Sequence, residues 1–175
     1  SHGRVFWRSP AHTDGRRALD ALGGRIAYEA PVIINGGRGH LSVFAFTEPL
    51  ADVVRRLSQT LGDGSITYSG GTLAVGERAS GKRIVRMVAF SLDPPGETLV
   101  CALDQSVEER ERSRQPPGEE GLPGVPGFPG ARTVFTAVNE ESRMRLTHAS
   151  TQAPVSAVRD FYHTALAEAG WSAFG

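Results

Sequence analysis

Residues 151–171, TQAPVSAVRDFYHTALAEAGW, constrain the fold more than any other stretch of this chain. Val155, Val158, Tyr162, Ala165, Leu166 and Ala169 recur at spacings of three and four. That places them along one stripe of a 3.6-residue helix, which Phe161 widens. Ser156, Arg159, Asp160, His163 and Ala167 fall on the opposite, solvated side. Pro154 suits the first turn, where a missing N–H has no helical partner to lose, and Thr151 can help satisfy the first amides. Gly170 ends the helix in the left-handed conformation, and Trp171 is expected to anchor an exit strand over 172–174.

An earlier stretch, residues 47–66, repeats this plan. With Pro49 set over Pro154, Leu50 meets Val155, Val53 meets Val158, Leu57 meets Tyr162 and Leu61 meets Leu166. The strands before the helices align in the same register, Leu41 over Leu146 and Val43 over His148. After the helices, a one-residue slip puts Ser65-Ile66 against Gly170-Trp171. A register shared across three elements predicts a duplicated strand–helix–strand block.

A chain of 175 residues can bury one sizeable core or two small ones. Lys+Arg 19 against Asp+Glu 19 gives a formal net charge of +0, which counts against nucleic acid and acidic membrane surfaces as partners. Lys82 is the lone lysine, a bias that points to a GC-rich genome more than to chemistry. No run is long and apolar enough for a membrane-spanning helix, so no transmembrane segment is expected. Cys101 stands alone in the apolar run 99–103, so no intrachain disulfide can form and the thiol reads as an inert core group. Ser1-His2 reads as a tag remnant or as the start of a mature secreted chain.

Taken in order, the chain opens with an apolar piece at 5–7 and a brief helix over 14–22 stopped by Gly23-Gly24. Residues 25–35 read as β-structure interrupted at Pro31, hence an edge strand or two short strands. Asn35-Gly36-Gly37 is a turn, and 40–46, apolar on both faces, reads as a central strand. After the first helix comes a meander. Its strands are 65–69, 72–77, 82–92 and 97–103, punctuated by Gly70-Gly71, by Ala79-Ser80-Gly81 and by the Pro-Pro-Gly turn at 93–96. The first unit, residues 1–106, is thus β-α-β-β-β-β behind an N-terminal extension.

Residues 107–132 are expected to link the halves. VEERERSR at 107–114 mixes charges without an apolar face and reads as solvated. From 115 to 132 glycine falls at every third place, beside proline in GLP, GVP and GFP, a pattern shared by collagen and by polyproline-II spacers. The few triplets favour a spacer, extended at about 3.1 Å per residue. Leu122, Val125 and Phe128 give it one apolar edge, able to pack on the sheet or to enter an aromatic groove on a partner. The second unit, 133–175, reads β-β-α-β and lacks the further strands of the first. Three completions are open: the halves share one sheet, the polypeptide continues past Gly175, or a partner supplies the strand. The fold class predicted is α+β, two related strand–helix–antiparallel-sheet units joined by a Pro/Gly-rich linker.

The wording FYHTALAEAGW at 161–171 resembles an F-Y-x-x-x-L-x-x-x-G-W pattern of uncharacterised bacterial secreted proteins and lipoproteins. It covers one helix and its exit, and Arg56-Leu57 replaces the F-Y pair in the first copy. It carries no catalytic residues and implies an envelope-associated, periplasmic or extracellular protein.

Chemical constellations are sparse. Asn35-Gly36-Gly37-Arg38-Gly39-His40 could cradle an anion with Arg38 and His40 assisting, but a strand follows where a phosphate loop wants a helix, so a hairpin loop is the simpler reading. Arg78, Lys82, Arg83 and Arg86 flank one hairpin as a second candidate anion or partner contact. His148 shares a strand face with Met144 and Leu146 and reads as a core histidine. Glu119-Glu120 and Glu140-Glu141 sit in loops, where solvation explains them. No metal-ligand spacing, nucleophile elbow or cofactor motif is present, so no catalytic, metal or cofactor residue is assigned. The leading expectation is a non-enzymatic scaffolding module that binds a protein partner, or itself, through an unfinished sheet edge. The rival is a small-molecule or anion-binding domain, enzyme included, built on the 35–40 loop and the Arg78–Arg86 hairpin.

Overall fold

The computed structural model describes residues 19–61, 66–69, 73–92, 96–113 and 122–172. The apolar piece at 5–7, the start of the 14–22 helix, the Gly70-Gly71 turn and residues 115–121 lie outside them; residues 19–21 are helical. The protein mixes helices with antiparallel β-structure. Among the described residues there are eight strands: β1 (Arg25–Ile34), β2 (Gly37–Phe46), β3 (Ile66–Ser69), β4 (Leu73–Ser80), β5 (Arg83–Ser91), β6 (Thr98–Ser106), β7 (Arg132–Val138) and β8 (Arg145–Ser150). Besides residues 19–21, three helices lie among the described residues: α1 (Leu50–Leu61), α2 (Val107–Arg112) and α3 (Val155–Glu168). The hydrogen-bonded order is β3-β4-β5-β6-β2-β1-β7-β8. Two compact units divide the chain, one from residues 1–29 and 42–104, the other from 30–41 and 105–175, so the division passes through β1, β2 and β6.

In the first unit, β2–α1–β3–β4–β5–β6 reproduces the expected β-α-β-β-β-β order. α1 buries Leu50, Val53, Val54 and Leu57 against a cluster that includes Phe44, Phe46, Val85, Met87 and Val100. β4 and β5 pair antiparallel from Leu73↔Phe90 to Ser80↔Arg83, so the reversal falls at Gly81-Lys82, one residue beyond the expected turn.

In the second unit, β7 and β8 pair from Arg132↔Ser150 to Val138↔Arg145, with a bulge between Thr133 and Phe135. α3 closes with two reverse bonds, Gly170 N–H to Ala167 O at 3.1 Å and Trp171 N–H to Leu166 O at 2.9 Å, the Schellman pattern with Gly170 at φ +84.

Five expectations change. Pro31 sits inside one ten-residue strand with neighbours on both sides, not on an edge. The pairing of β1 with β7 is confined to Ile33↔Val138 and Ile34↔Ala137, so the missing N–H of Pro31 lies outside it. Residues 107–112, expected as a solvated part of the linker, form a helix without buried residues, begun where the Ser106 hydroxyl accepts the Glu109 N–H at 3.1 Å. The Pro/Gly segment is no extended spacer over 122–131: Leu122-Pro-Gly-Val125 and Phe128-Pro-Gly-Ala131 each close by an i→i+3 bond of 3.0 Å, with Gly124 at φ +74 and Gly130 at φ +78. Proline second and a left-handed glycine third define type II turns. Pro154 precedes the first turn of α3 as its cap residue, and Thr151 accepts the Ala153 N–H at 3.2 Å rather than a helical amide. Trp171 is 63% exposed rather than packed as an anchor, and residue 172 belongs to no strand, while residues 173–174 of the expected exit strand lie outside the described residues.

The aligned helices also differ in burial. Leu50 and Leu57 are 5% and 1% exposed, whereas α3 has no buried residue and Val155 is 59% exposed. Among the described residues no helix is long and apolar enough to cross a membrane, which says nothing about spanning by strands.

Candidate functional site

The 35–40 loop is built from a two-residue reversal. Asn35 at φ 47 and Gly36 at φ 87 supply the pair of left-handed residues that a tight β-hairpin demands. Asn35 is also tied to β7. Its N–H donates to Thr136 O at 3.1 Å, and its Oδ1 accepts the Thr136 N–H at 2.9 Å, extending the β1–β7 pairing by one residue.

Helix α2 is fastened to the other side of the turn. The Arg38 N–H donates to Glu109 Oε2 at 2.8 Å, while Gln105 Nε2 donates to Arg38 O at 3.3 Å and to Ser113 Oγ at 2.9 Å. The Ser113 hydroxyl donates in turn to Glu109 O at 2.8 Å. Gly37 permits the approach: a Cβ there would overlap Ser113 Oγ and the Glu109 carbonyl oxygen. The Arg38 amide is therefore already taken by the chain's own Glu109 carboxylate. Sequence reasoning missed Glu109. The signal was Ser106-x-x-Glu109, a capping-box spacing in which the glutamate reaches Arg38 instead of the cap amide.

The Arg38 side chain is left over. It is exposed and makes no hydrogen bond or ion pair among the described residues. With Gly39, Glu140 and Glu141 it lines a solvent-open cleft of about 320 Å³, whose other walls are Pro31, Val32, Ile33, Val138 and Asn139. The acidic turn is fixed from beneath. Buried Asn139 accepts the Glu141 N–H at 3.0 Å and the Ser142 N–H at 3.3 Å through Oδ1, and its own N–H donates to Met144 O at 2.9 Å. Arg143 takes the left-handed position at φ 60, a strain of the order of 1 kcal/mol for a residue with a Cβ. His40, half-buried on β2, does not line the cleft.

The second candidate contact, Arg78, Lys82, Arg83 and Arg86, belongs to the other unit. Two of its cations are already matched. Arg83 Nε and Nη2 donate to Asp104 Oδ1 at 2.8 and 2.6 Å, and Arg86 holds Glu77 Oε2 at 3.3 and 3.2 Å. Lys82 is exposed at the reversal, and Arg78 sits opposite Val85 on β4. Of the apolar residues expected to face a partner, Leu122 is exposed and Val125 half-buried. Phe128 meets Phe161 of α3 edge-to-face, with centroids 5.2 Å apart at 80°.

His148 packs edge-on against Phe135 at 5.4 Å. Burial pushes the Cys101 thiol up to about 11. Among the described residues no three His, Cys, Asp or Glu side chains gather where an ion could be held. No protein-family model matches the chain, and no curated protein or solved structure is significantly similar to it.

Proposed function

We propose that the chain is a non-enzymatic interaction module that takes a second copy of itself along the outer edge of β8. The observation that carries this reading is the place of β8 at the end of the strand order. Its six residues pair with β7 on one side, and the opposite row of amides and carbonyls is the template an added strand needs. β8 contains neither proline nor lysine, the residues that commonly blunt an edge, and its one charge is Arg145. Antiparallel self-pairing centred between Thr147 and His148 sets Arg145 opposite Ser150 of the second copy, so no like charges meet. A net charge of +0 leaves no long-range repulsion to oppose the encounter. Val155 and Trp171, 59% and 63% exposed, add apolar surface on the same unit.

The bacterial envelope, periplasmic or extracellular, is the setting that the wording of residues 161–171 supports. The shared strand–Pro–helix spacing of residues 41–61 and 146–166 supports descent of the two halves from one block. An anion-binding domain finds less support, since the Arg38 amide, Arg83 and Arg86 already hold Glu109, Asp104 and Glu77.

Light scattering across a wide concentration range tests the reading, with Thr147→Pro and His148→Pro made separately. Adjacent amides on a strand point to opposite sides, so one of these prolines removes an outward N–H and the other an N–H used by β7. The chain self-associates to a dimer, and the outward variant is monomeric with an unchanged far-ultraviolet spectrum. A wild-type chain that stays monomeric at every concentration, or two prolines that both leave the dimer intact, overturns the assignment.

A further inference from the structure

We infer that the cleft between Arg38 and Glu140-Glu141 is a binding site for a small zwitterion with an aliphatic body, the chemistry of a free α-amino acid. Three charged side chains of opposite sign line this one cavity. None of the three makes a hydrogen bond or ion pair among the described residues, so they neutralise neither each other nor a neighbour. Three other arginines are matched within the chain: Arg56 holds Glu48, Arg83 holds Asp104 and Arg112 holds Glu108 and Glu109. A ligand carrying one charge of each sign satisfies both ends of the cleft without leaving an excess charge. Its carboxylate meets the guanidinium fork, which matches two oxygens at once, and its ammonium meets the glutamates.

The volume sets the size. About 320 Å³ lies at the lower end of the roughly 300–1,000 Å³ typical of small-molecule sites, which suits a single amino acid better than a nucleotide or a long peptide. Ile33 and Val138, directly opposed in the β1–β7 register, line the space between the charges with Val32 and Pro31. That part of the lining suits a branched aliphatic side chain.

The mounts are rigid. Arg38 is pinned by its own N–H and C=O, and the glutamates follow buried Asn139, so the backbone that carries the charged groups is fixed while their side chains stay unengaged. Because the structural bonds of Arg38 are main-chain bonds, Arg38→Gln removes the charge and leaves the loop intact.

Titration of the isotope-labelled full chain with L-leucine, followed by amide chemical shifts, tests the assignment. N-acetyl-leucine, which lacks the cation, and leucinamide, which lacks the carboxylate, serve as matched probes. Leucine produces saturable shifts at residues 38–39 and 138–141, and each blocked analogue binds about tenfold more weakly or worse, as loss of one charged contact requires. Arg38→Gln loses leucine binding by a similar factor, as does Glu140→Gln combined with Glu141→Gln. Arg143→Gln, outside the cleft, leaves it unchanged. No saturable shift in the millimolar range overturns the site, and so does equal affinity for N-acetyl-leucine or indifference to Arg38→Gln. Self-association through β8 is read by light scattering in separate samples, so either assignment can fail alone.

Discussion

Gly37→Ala is the sharpest single test of how the 35–40 loop is held. The added methyl would overlap the Glu109 carbonyl oxygen and Ser113 Oγ, and would press on Gln105 Nε2 at 3.2 Å. A hydroxyl can rotate away, but the Glu109 carbonyl is part of the last turn of α2, where it accepts the Ser113 N–H at 3.0 Å. The helix must therefore lift as a unit. Lifting breaks the Arg38–Glu109 bond, a charge-assisted contact at an exposed position that contributes about 1 kcal/mol. It also strips the buried Gln105 Nε2 of its bond to Ser113 Oγ; a buried amide left short of a partner costs about 1–3 kcal/mol. The sum is about 2–4 kcal/mol. Gly36→Ala is the control. Its Cβ would meet nothing within 4 Å, so only the left-handed strain remains, roughly 1 kcal/mol. Urea unfolding by circular dichroism, with hydrogen exchange at the Arg38 amide, separates the two. Gly37→Ala has the lower midpoint and an unprotected Arg38 amide, whereas Gly36→Ala keeps the protection. A Gly37→Ala protein as stable as the Gly36→Ala protein, with Arg38 still protected, would refute the docking of α2 on this loop.

Three further outcomes follow from burial. With its thiol pushed up to about 11, Cys101 is thiolate in only about one molecule in a thousand at pH 8 and stays silent to a thiol reagent until the chain is unfolded. The same shift makes the folded state hold its proton where the unfolded chain has released it, so stability is lost as pH rises from about 9 to 11, by up to about 3 kcal/mol; a Cys101→Ala chain whose stability falls equally over that range would place the cause elsewhere. Leu57→Ala costs about 2–5 kcal/mol because it opens a cavity in the first core, and Leu166→Ala costs about half as much or less from its half-exposed position. Equal losses in urea unfolding would contradict the difference in burial between α1 and α3.

Where the residue pattern was periodic, it was legible. The Leu50, Val53, Leu57 stripe of α1 and the left-handed stop at Gly170 emerge as predicted, and β2 lies between two neighbours as its two apolar faces require. Short-range competition defeated other readings. α2 has six residues, too few to display a stripe, and its cap at Ser106 was the one cue. The three-residue glycine period at 118–130 masked two Pro-Gly turns, whose preference is decided within four residues and outweighs any longer repeat. Pro31 misled because a proline forbids one hydrogen bond rather than a strand, and β7 makes its bonds further along. The alignment of α3 with α1 predicted a duplicated block, yet the two helices differ in burial, because what covers a helix is set by the surrounding chain and not by its own stripe. The cleft was unreadable for a related reason: Arg38 and Glu140-Glu141 are about a hundred residues apart in sequence, and only the β1–β7 pairing brings them to one cavity.

Residues 35–40 show how one segment can serve both architecture and recognition. Asn35 and Arg38 are anchored through main-chain groups or the Asn35 amide: Asn35 to Thr136, Arg38 N–H to Glu109, Arg38 O to Gln105. A loop that spent its arginine side chain on the same task, as Arg83 does with Asp104, would have to give up that ion pair before it could take a ligand. Breaking a partly buried pair of that kind forfeits about 1–3 kcal/mol, close to what one charged contact to a small ligand returns. At Arg38 no such exchange arises, because the guanidinium is solvated and the backbone beneath it is already fixed. The same division holds across the cleft, where Asn139 takes the turn amides and leaves both carboxylates to solvent. Positioned charges without internal partners are what separates this cleft from the Arg78–Arg86 hairpin, whose cations are more numerous but already matched at Arg83 and Arg86.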